Sequence, residues 1–164
     1  MNDAATPLPP GAQLLGREWL GFDESGHALI RFQAQLDFTN RHGTIQGGFL
    51  AAMLDSATGI CALAALTSEL TVVTRSLDTR FLKPASVGPI IARARVTERT
   101  ERDMVVHAEL VDAEGIISPT PPRGCAFLQR SRSRSRRRNQ WQRHSDRAAG
   151  RKAPPKAAGK TSLP

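Results

Sequence analysis

The run from Gly47 to Leu66 is the segment that most narrows what this chain can fold into. After Gly47-Gly48 it reads FLAAMLDSATGICALAAL, which is too long for a strand and rich in the helix formers Ala and Leu. The helix it predicts is apolar almost all round, so the rest of the protein must enclose it. One residue breaks the pattern: Asp55, near the middle. A carboxylate at a bilayer centre costs roughly 2.5–3.5 kcal/mol, which argues for a buried protein helix over a membrane span.

The flanking segments alternate instead. Ala28, Ile30, Phe32, Ala34 and Leu36 share one face of a strand. Residues 89–97 place Ile90, Ala92, Ala94 and Val96 on one face, and residues 103–112 do the same with Met104, Val106, Ala108 and Leu110. Residues 98–102 (ERTER) make the tightest hairpin. A further strand is expected over 71–82, stopped by Lys83-Pro84, and a weak first one over 13–22. Residues 1–12 are Pro-rich and read as flexible; residues 38–46 read as polar loop. The predicted class is α+β: an antiparallel sheet wrapped around one long central helix.

Charge divides the chain at Ile116. The whole carries 23 Lys+Arg and 15 Asp+Glu, a net +8. Residues 1–116 hold 10 basic and 14 acidic side chains, net −4, and residues 117–164 hold 13 basic side chains and Asp146 alone, net +12. A mildly acidic domain over 13–116 is thus followed by a basic, low-complexity tail expected to be mostly disordered. The prolines of SPTPPRG are expected to end strand structure, with 124–130 offering one late strand after a looped insertion. Otherwise the sheet lacks a strand. So abrupt a switch is also what a shifted reading frame in GC-rich DNA would produce. The SRSRSRRR tract admits nucleic-acid binding as an alternative function, although the tail has almost no aromatic residues for base stacking beyond Trp141.

Two cysteines, Cys61 and Cys125, are too few and too far apart for a disulfide framework or a cysteine zinc site. Reduced thiols and a cytoplasmic location are expected, and the start lacks the basic and apolar regions of a secretory signal. No His/Cys/Asp cluster has metal-ligand spacing, so no metal and no cofactor are expected.

The chemistry concentrates around the helix. Its N-terminus at Gly47 and Gly48 presents unpaired N–H donors and a partial positive charge, suited to a carbonyl or oxyanion. Close packing alone would also call for the two glycines. Asp55 reads either as a general base activated by desolvation or as a partner of a loop group. Gly47 and Asp55 are eight residues apart, about 12 Å along a helix at ~1.5 Å per residue. If both act on one carbonyl, Asp55 must come from a second subunit, with two sites related by a two-fold axis.

Asn40-Arg-His-Gly43-Thr-Ile-Gln46-Gly47-Gly48, followed by Leu50, Ala51, Leu54 and Asp55, resembles the hotdog-fold acyl-CoA thioesterases, nearest to the phenylacetate-pathway (PaaI-type) branch of the 4-hydroxybenzoyl-CoA thioesterase superfamily. The segment Phe81-Leu-Lys-Pro84-Ala-Ser-Val-Gly88 resembles that family's Phe-x-x-Pro-Ala-x-x-Gly turn. The resemblance covers about residues 13–116. It implies hydrolysis of an acyl thioester, with coenzyme A part of the substrate. It implies that the Gly47 N–H and Asn40 polarise the carbonyl. It further implies that Asp55 of the opposite subunit activates water or attacks directly, and that Thr74 holds the water. Gln46 stands where the family usually has His; with Gly48 and Lys83 it joins the residues expected to bind substrate, while His42 is expected to be a solvated loop residue. Arg75, Arg80, Arg99 and Arg102 are further candidates for CoA phosphates, and Phe49 and Met53 for the acyl pocket. A homodimer or homotetramer is expected, with a non-hydrolysing acyl-CoA-binding protein as the alternative.

Overall fold

The computed structural model describes residues 7–67, 70–119 and 125–130. The tail from 131 onward, on which the expectations of disorder and nucleic-acid binding fall, lies outside the described residues. The elements run α1 (Pro10–Leu14), β1 (Glu18–Phe22), β2 (Ala28–Ala34), a short 3-10 turn (Leu36–Phe38), α2 (Gly47–Ala64), β3 (Leu70–Ser76), β4 (Gly88–Arg99), β5 (Asp103–Asp112), β6 (Gly115–Pro119) and β7 (Cys125–Arg130). The strands form one antiparallel sheet in the order β1-β2-β4-β5-β7-β3, with β6 also paired to β5.

The core lies between this sheet and α2. Leu50, Met53, Leu54, Ala57 and Cys61 of the helix are buried with Ile30 and Phe32 of β2, Ile90 and Ala92 of β4, and Met104, Val106 and Leu110 of β5. Each fully buried large side chain contributes about 1.5–3 kcal/mol. The alternating positions of β2 and β5 put every second side chain inward, as their period requires. By length and composition α2 would suffice to cross a membrane, but its buried face is spent on this core. Among the described residues nothing covers one face, along Gly48, Ala52, Asp55 and Leu63.

Four sequence expectations are corrected. The supposed strand over 13–22 begins with a helical turn, because Pro10 sits in the first turn where its missing N–H costs nothing. That helix starts inside the stretch expected to be flexible and buries Ala12. The strand expected over 71–82 ends at Ser76, and residues 77–87 are irregular. Finally, the Pro-rich SPTPPRG stretch does not end strand structure at its first residue. β6 runs to Pro119, where proline at the last position forfeits only its own donor.

The last lane of the sheet is where the fold is most unusual. β4 occupies one edge of β5 along its length, so β6 and β7 share the other. β6 pairs Leu110↔Ser118 and Glu109↔Pro119, whereas β7 pairs Val105↔Cys125 and Asp103↔Phe127. Over the four positions from Glu109 to Val105 the opposing chain advances six, from Pro119 to Cys125. The lane therefore carries two extra residues. An even excess preserves the parity of the backbone pairing along the lane.

β7 also carries β3, through Thr71↔Gln129, Val73↔Phe127 and Thr74↔Ala126. No other strand pairs with β3 among the described residues. A chain ending at Arg130 should thus unfold as cooperatively as the full chain. One ending at Ser118 should lose β3 and β7 together, with a lower Tm and a broadened transition by circular dichroism. Identical melting of the two truncations would refute this dependence.

Candidate active site

The loop before α2 is braced by its own side chains. Asn40 Oδ1 accepts from the backbone N–H of His42 at 2.8 Å and of Thr44 at 3.4 Å, and Asn40 Nδ2 donates to Thr44 Oγ1 at 2.9 Å. Asn40 thereby shapes the turn containing Gly43, whose φ of +76° favours glycine. Two backbone bonds then set the helix entry: Ile45 N–H to the Ala85 carbonyl and Gln46 N–H to the Phe38 carbonyl, both 2.9 Å.

Gln46 is the N-cap residue, exposed, and its side chain makes no capping bond. The Phe49 and Leu50 N–H groups both reach the Gln46 carbonyl, at 3.0 and 3.3 Å. Among the described residues the N–H groups of Gly47 and Gly48 have no acceptor, so two donors remain for a ligand. Gly47 is glycine for a steric reason: a Cβ there would lie 2.9 Å from Cε2 of Phe81. Gly48 is open to solvent, with nothing within 4 Å of an added Cβ.

Asp55 lies on the open face of α2. Its Oδ1 accepts from Thr74 Oγ1 at 2.6 Å, joining helix to β3 across 19 residues. Of the two readings of this carboxylate, a desolvated base or a paired group, the single chain shows the pairing: Asp55 is exposed, and no element among the described residues covers that side of the helix. Geometry distinguishes it instead: a carboxylate and a hydroxyl held together at the surface, each with lone pairs to spare for a water.

The remaining candidates fall elsewhere. Lys83 Nζ pairs with Asp112 at 2.8 Å and with Glu114 at 3.6 Å, an arrangement already neutralised within the loop. Burial opposes charge on Asp112, but the Lys83 hydrogen bond and the Glu114 N–H outweigh it and hold the carboxyl below its ordinary range. Arg75 pairs with Asp103, and Arg99 donates to the Ala65 carbonyl; Arg80 and Arg102 are exposed. Met53 is fully buried in the core and cannot line an open pocket. Phe49 stacks on Phe38 with ring centroids 4.2 Å apart. His42 is an exposed loop residue whose Nε2 accepts from Arg41 at 3.2 Å. Burial pushes the Cys61 thiol up to about 11, with partial relief from the Val96 backbone, so it is no nucleophile at neutral pH. No cluster of His, Cys, Asp or Glu suited to a metal ion occurs among the described residues.

The sequence reading missed the ties that place the turn around Phe81. The Leu82 N–H donates to the Ile117 carbonyl at 2.8 Å, and the buried Ser118 hydroxyl donates to the Arg80 carbonyl and bonds Thr79 Oγ1. Ser118 lies in the Pro-rich stretch read as outside the domain, and its serine type carries no signal of burial.

Comparison with known proteins follows the same outline. The thioesterase superfamily model matches residues 42–118. A Ralstonia eutropha protein, described as an inferred thioesterase related to phenylacetic acid degradation, has a crystal structure 31% identical to this chain, with a TM-score of 0.68 over 75% of this chain and 91% of its own. The chain belongs to the thioesterase superfamily. Its hotdog fold, α2 wrapped by the sheet, is the fold of that superfamily. A Saccharolobus solfataricus protein whose esterase activity is itself inferred is 30% identical over 92 residues. That match spans 56% of this chain and 65% of the relative, just under two thirds of its length. A Bacillus halodurans protein crystallised with CoA shares the fold at 21% identity and a TM-score of 0.62, over 72% of this chain and 74% of its own.

Two outcomes check this geometry. Gly47→Ala should cost about 1 kcal/mol, the low end for overpacking because Phe81 is half-exposed and can swing. Phe81→Ala in the same chain should recover most of it in a double-mutant cycle; purely additive costs would show that the two do not touch. Because the folded Asp112 carboxyl titrates low, its contribution to stability is present above the ordinary carboxylate range and is lost as pH falls through the folded value. Lys83→Met removes the partner that outweighs burial, so the acid-unfolding midpoint should move to higher pH. An unmoved midpoint would contradict the pairing.

Proposed function

We propose that this chain hydrolyses acyl-CoA thioesters, as a homodimer or a dimer of dimers whose active sites are each shared by two copies. The observation that carries the reading is the 2.6 Å pairing of Asp55 with Thr74 at the surface, on the same helix as two unsatisfied N–H groups but about two turns away. A rigid helix cannot bring its own N-terminus to its own Asp55. A second copy related by a two-fold axis brings one helix start against the other's Asp55 and does so twice. The uncovered face of α2 and the open edge of β3, exposed at residues 73–76, are the surfaces that such a copy would meet.

In this reading the Gly47 N–H receives the thioester oxygen as charge develops on it, and preorganised donors of this kind contribute about 2.7–4 kcal/mol to an acyl-transfer barrier. Asn40 keeps the second hydrogen of Nδ2 for the same oxygen. Asp55 takes a proton from water held by Thr74, the resulting hydroxide attacks the carbonyl carbon, and the thiolate of CoA leaves. Gln46 and Gly48 contact the substrate at the helix start. The Ralstonia relative's description, together with its 31% identity, favours the PaaI-type branch and an aryl-bearing acyl group. A cytoplasmic setting, which would keep the buried Cys61 thiol reduced, belongs to the same reading.

Asp55→Asn should lower kcat by about 10²–10⁴-fold, the usual worth of a positioned base, while gel filtration shows an unchanged oligomer. Thr74→Val should lower kcat less and leave KM for CoA esters nearly unchanged. Undiminished hydrolysis of phenylacetyl-, hydroxybenzoyl- and octanoyl-CoA by Asp55→Asn would remove that residue from the role.

A further inference from the structure

A cavity of about 320 Å³ opens between β1 and the second half of α2, and neither Asp55 nor Thr74 lines it. Its walls are apolar: Trp19 and Ile30 from the sheet, Ile60, Leu63 and Ala64 from the helix. The exception is Arg17. Its Nη1 donates to Ser56 Oγ at 3.1 Å, a neutral partner. The other half-buried basic side chains among the described residues are Lys83 and Arg93, and each is held by two carboxylates. Arg17 has no salt bridge among the described residues, although burial already lowers its pKa. A guanidinium partly withdrawn from water and paired only with a hydroxyl leaves several N–H donors unused. An anion arriving there would form charge-assisted, even bidentate, hydrogen bonds, about twice as strong as neutral ones.

We propose that this cavity is a binding site for a carboxylate on a compact apolar body, aryl or medium-chain alkyl. The carboxylate meets Arg17, and the body lies against Trp19, Ile60 and Leu63. The volume is at the low end of the range for small-molecule sites, enough for a group of this size. Two sources carry that chemistry: a free organic acid, such as a thioesterase would release, or the distal carboxylate of a dicarboxylic acyl group still joined to CoA. Binding itself does not depend on the hydrolytic reading.

Fluorescence tests it in the full chain. In Trp141→Phe, Trp19 is the remaining tryptophan. Octanoate or phenylacetate should change its emission saturably, with octanol bound at least about tenfold more weakly. Arg17→Gln should weaken octanoate by a similar factor, and Arg17→Lys by less. Leu8→Glu, at a half-exposed lining position off the α2 face that a second copy would meet, should abolish carboxylate binding without unfolding the protein, even if Arg17→Gln fails to fold. Hydrolysis then separates the sources. A fall in kcat/KM of Arg17→Gln for the mono-CoA ester of octanedioic acid, but not for octanoyl-CoA, points to the acyl end. Unchanged kcat/KM for both, with octanoate binding lost, points to the free acid. No saturable response, equal affinity for octanoate and octanol, or wild-type octanoate binding by both Arg17→Gln and Leu8→Glu would overturn the proposal. An inactive enzyme that still binds octanoate would count only against hydrolysis.

Discussion

A rigid, mostly enclosed helix governs this molecule. α2 must lose most of its apolar surface to the sheet, and only a sheet that curls around it can supply enough inward side chains. The same rigidity separates the functional groups. The free N–H donors at Gly47 and Gly48 and the carboxylate at Asp55 belong to one element, so their separation is fixed at about 12 Å by helical rise. What encloses the helix also leaves one stripe of it bare, and Asp55 lies on that stripe.

The placement of Asp55's partner depends on the least typical part of the chain. Thr74 sits on β3, β3 hangs on β7, and β7 follows a Pro-rich insertion with two surplus residues in its lane. The family match ends at Ser118, before β7 begins. A one-residue surplus would have changed the parity of the backbone pairing beyond it; two preserve that parity, and β7 still carries β3 and Thr74.

Much of this was legible from residue periodicity. The alternation over 28–34 and 103–112 and the apolar run after Gly47-Gly48 each became the element expected, because each spans enough residues for the period to be unambiguous. Short or interrupted elements were not legible. α1 has five residues and opens on prolines, and β6 ends on one, so local composition argued against both. The family motif singled out Asp55 and Thr74 as candidates, and the fold brings the two side chains together, but the exposure of Asp55 was not legible. A sequence shows that a helix is apolar all round; it does not show which side its own sheet leaves open. Arg17 had no signal at all, since its surroundings assemble from residues 17, 19, 30, 56, 60 and 63, which only the fold brings together.

The central claim is that each site takes its N–H donors from one copy and its carboxylate from another. Subunit complementation tests it directly. Asp55→Asn and a helix-start variant such as Gly47→Pro, which deletes the donor N–H, are each purified, shown to be folded and inactive, then mixed and re-equilibrated. Random pairing makes half of the dimers mixed, each with one intact site of two, so the account predicts recovery of about a quarter of wild-type acyl-CoA hydrolysis. Mixed dimers, verified by mass spectrometry, that remain as inactive as either parent would contradict it.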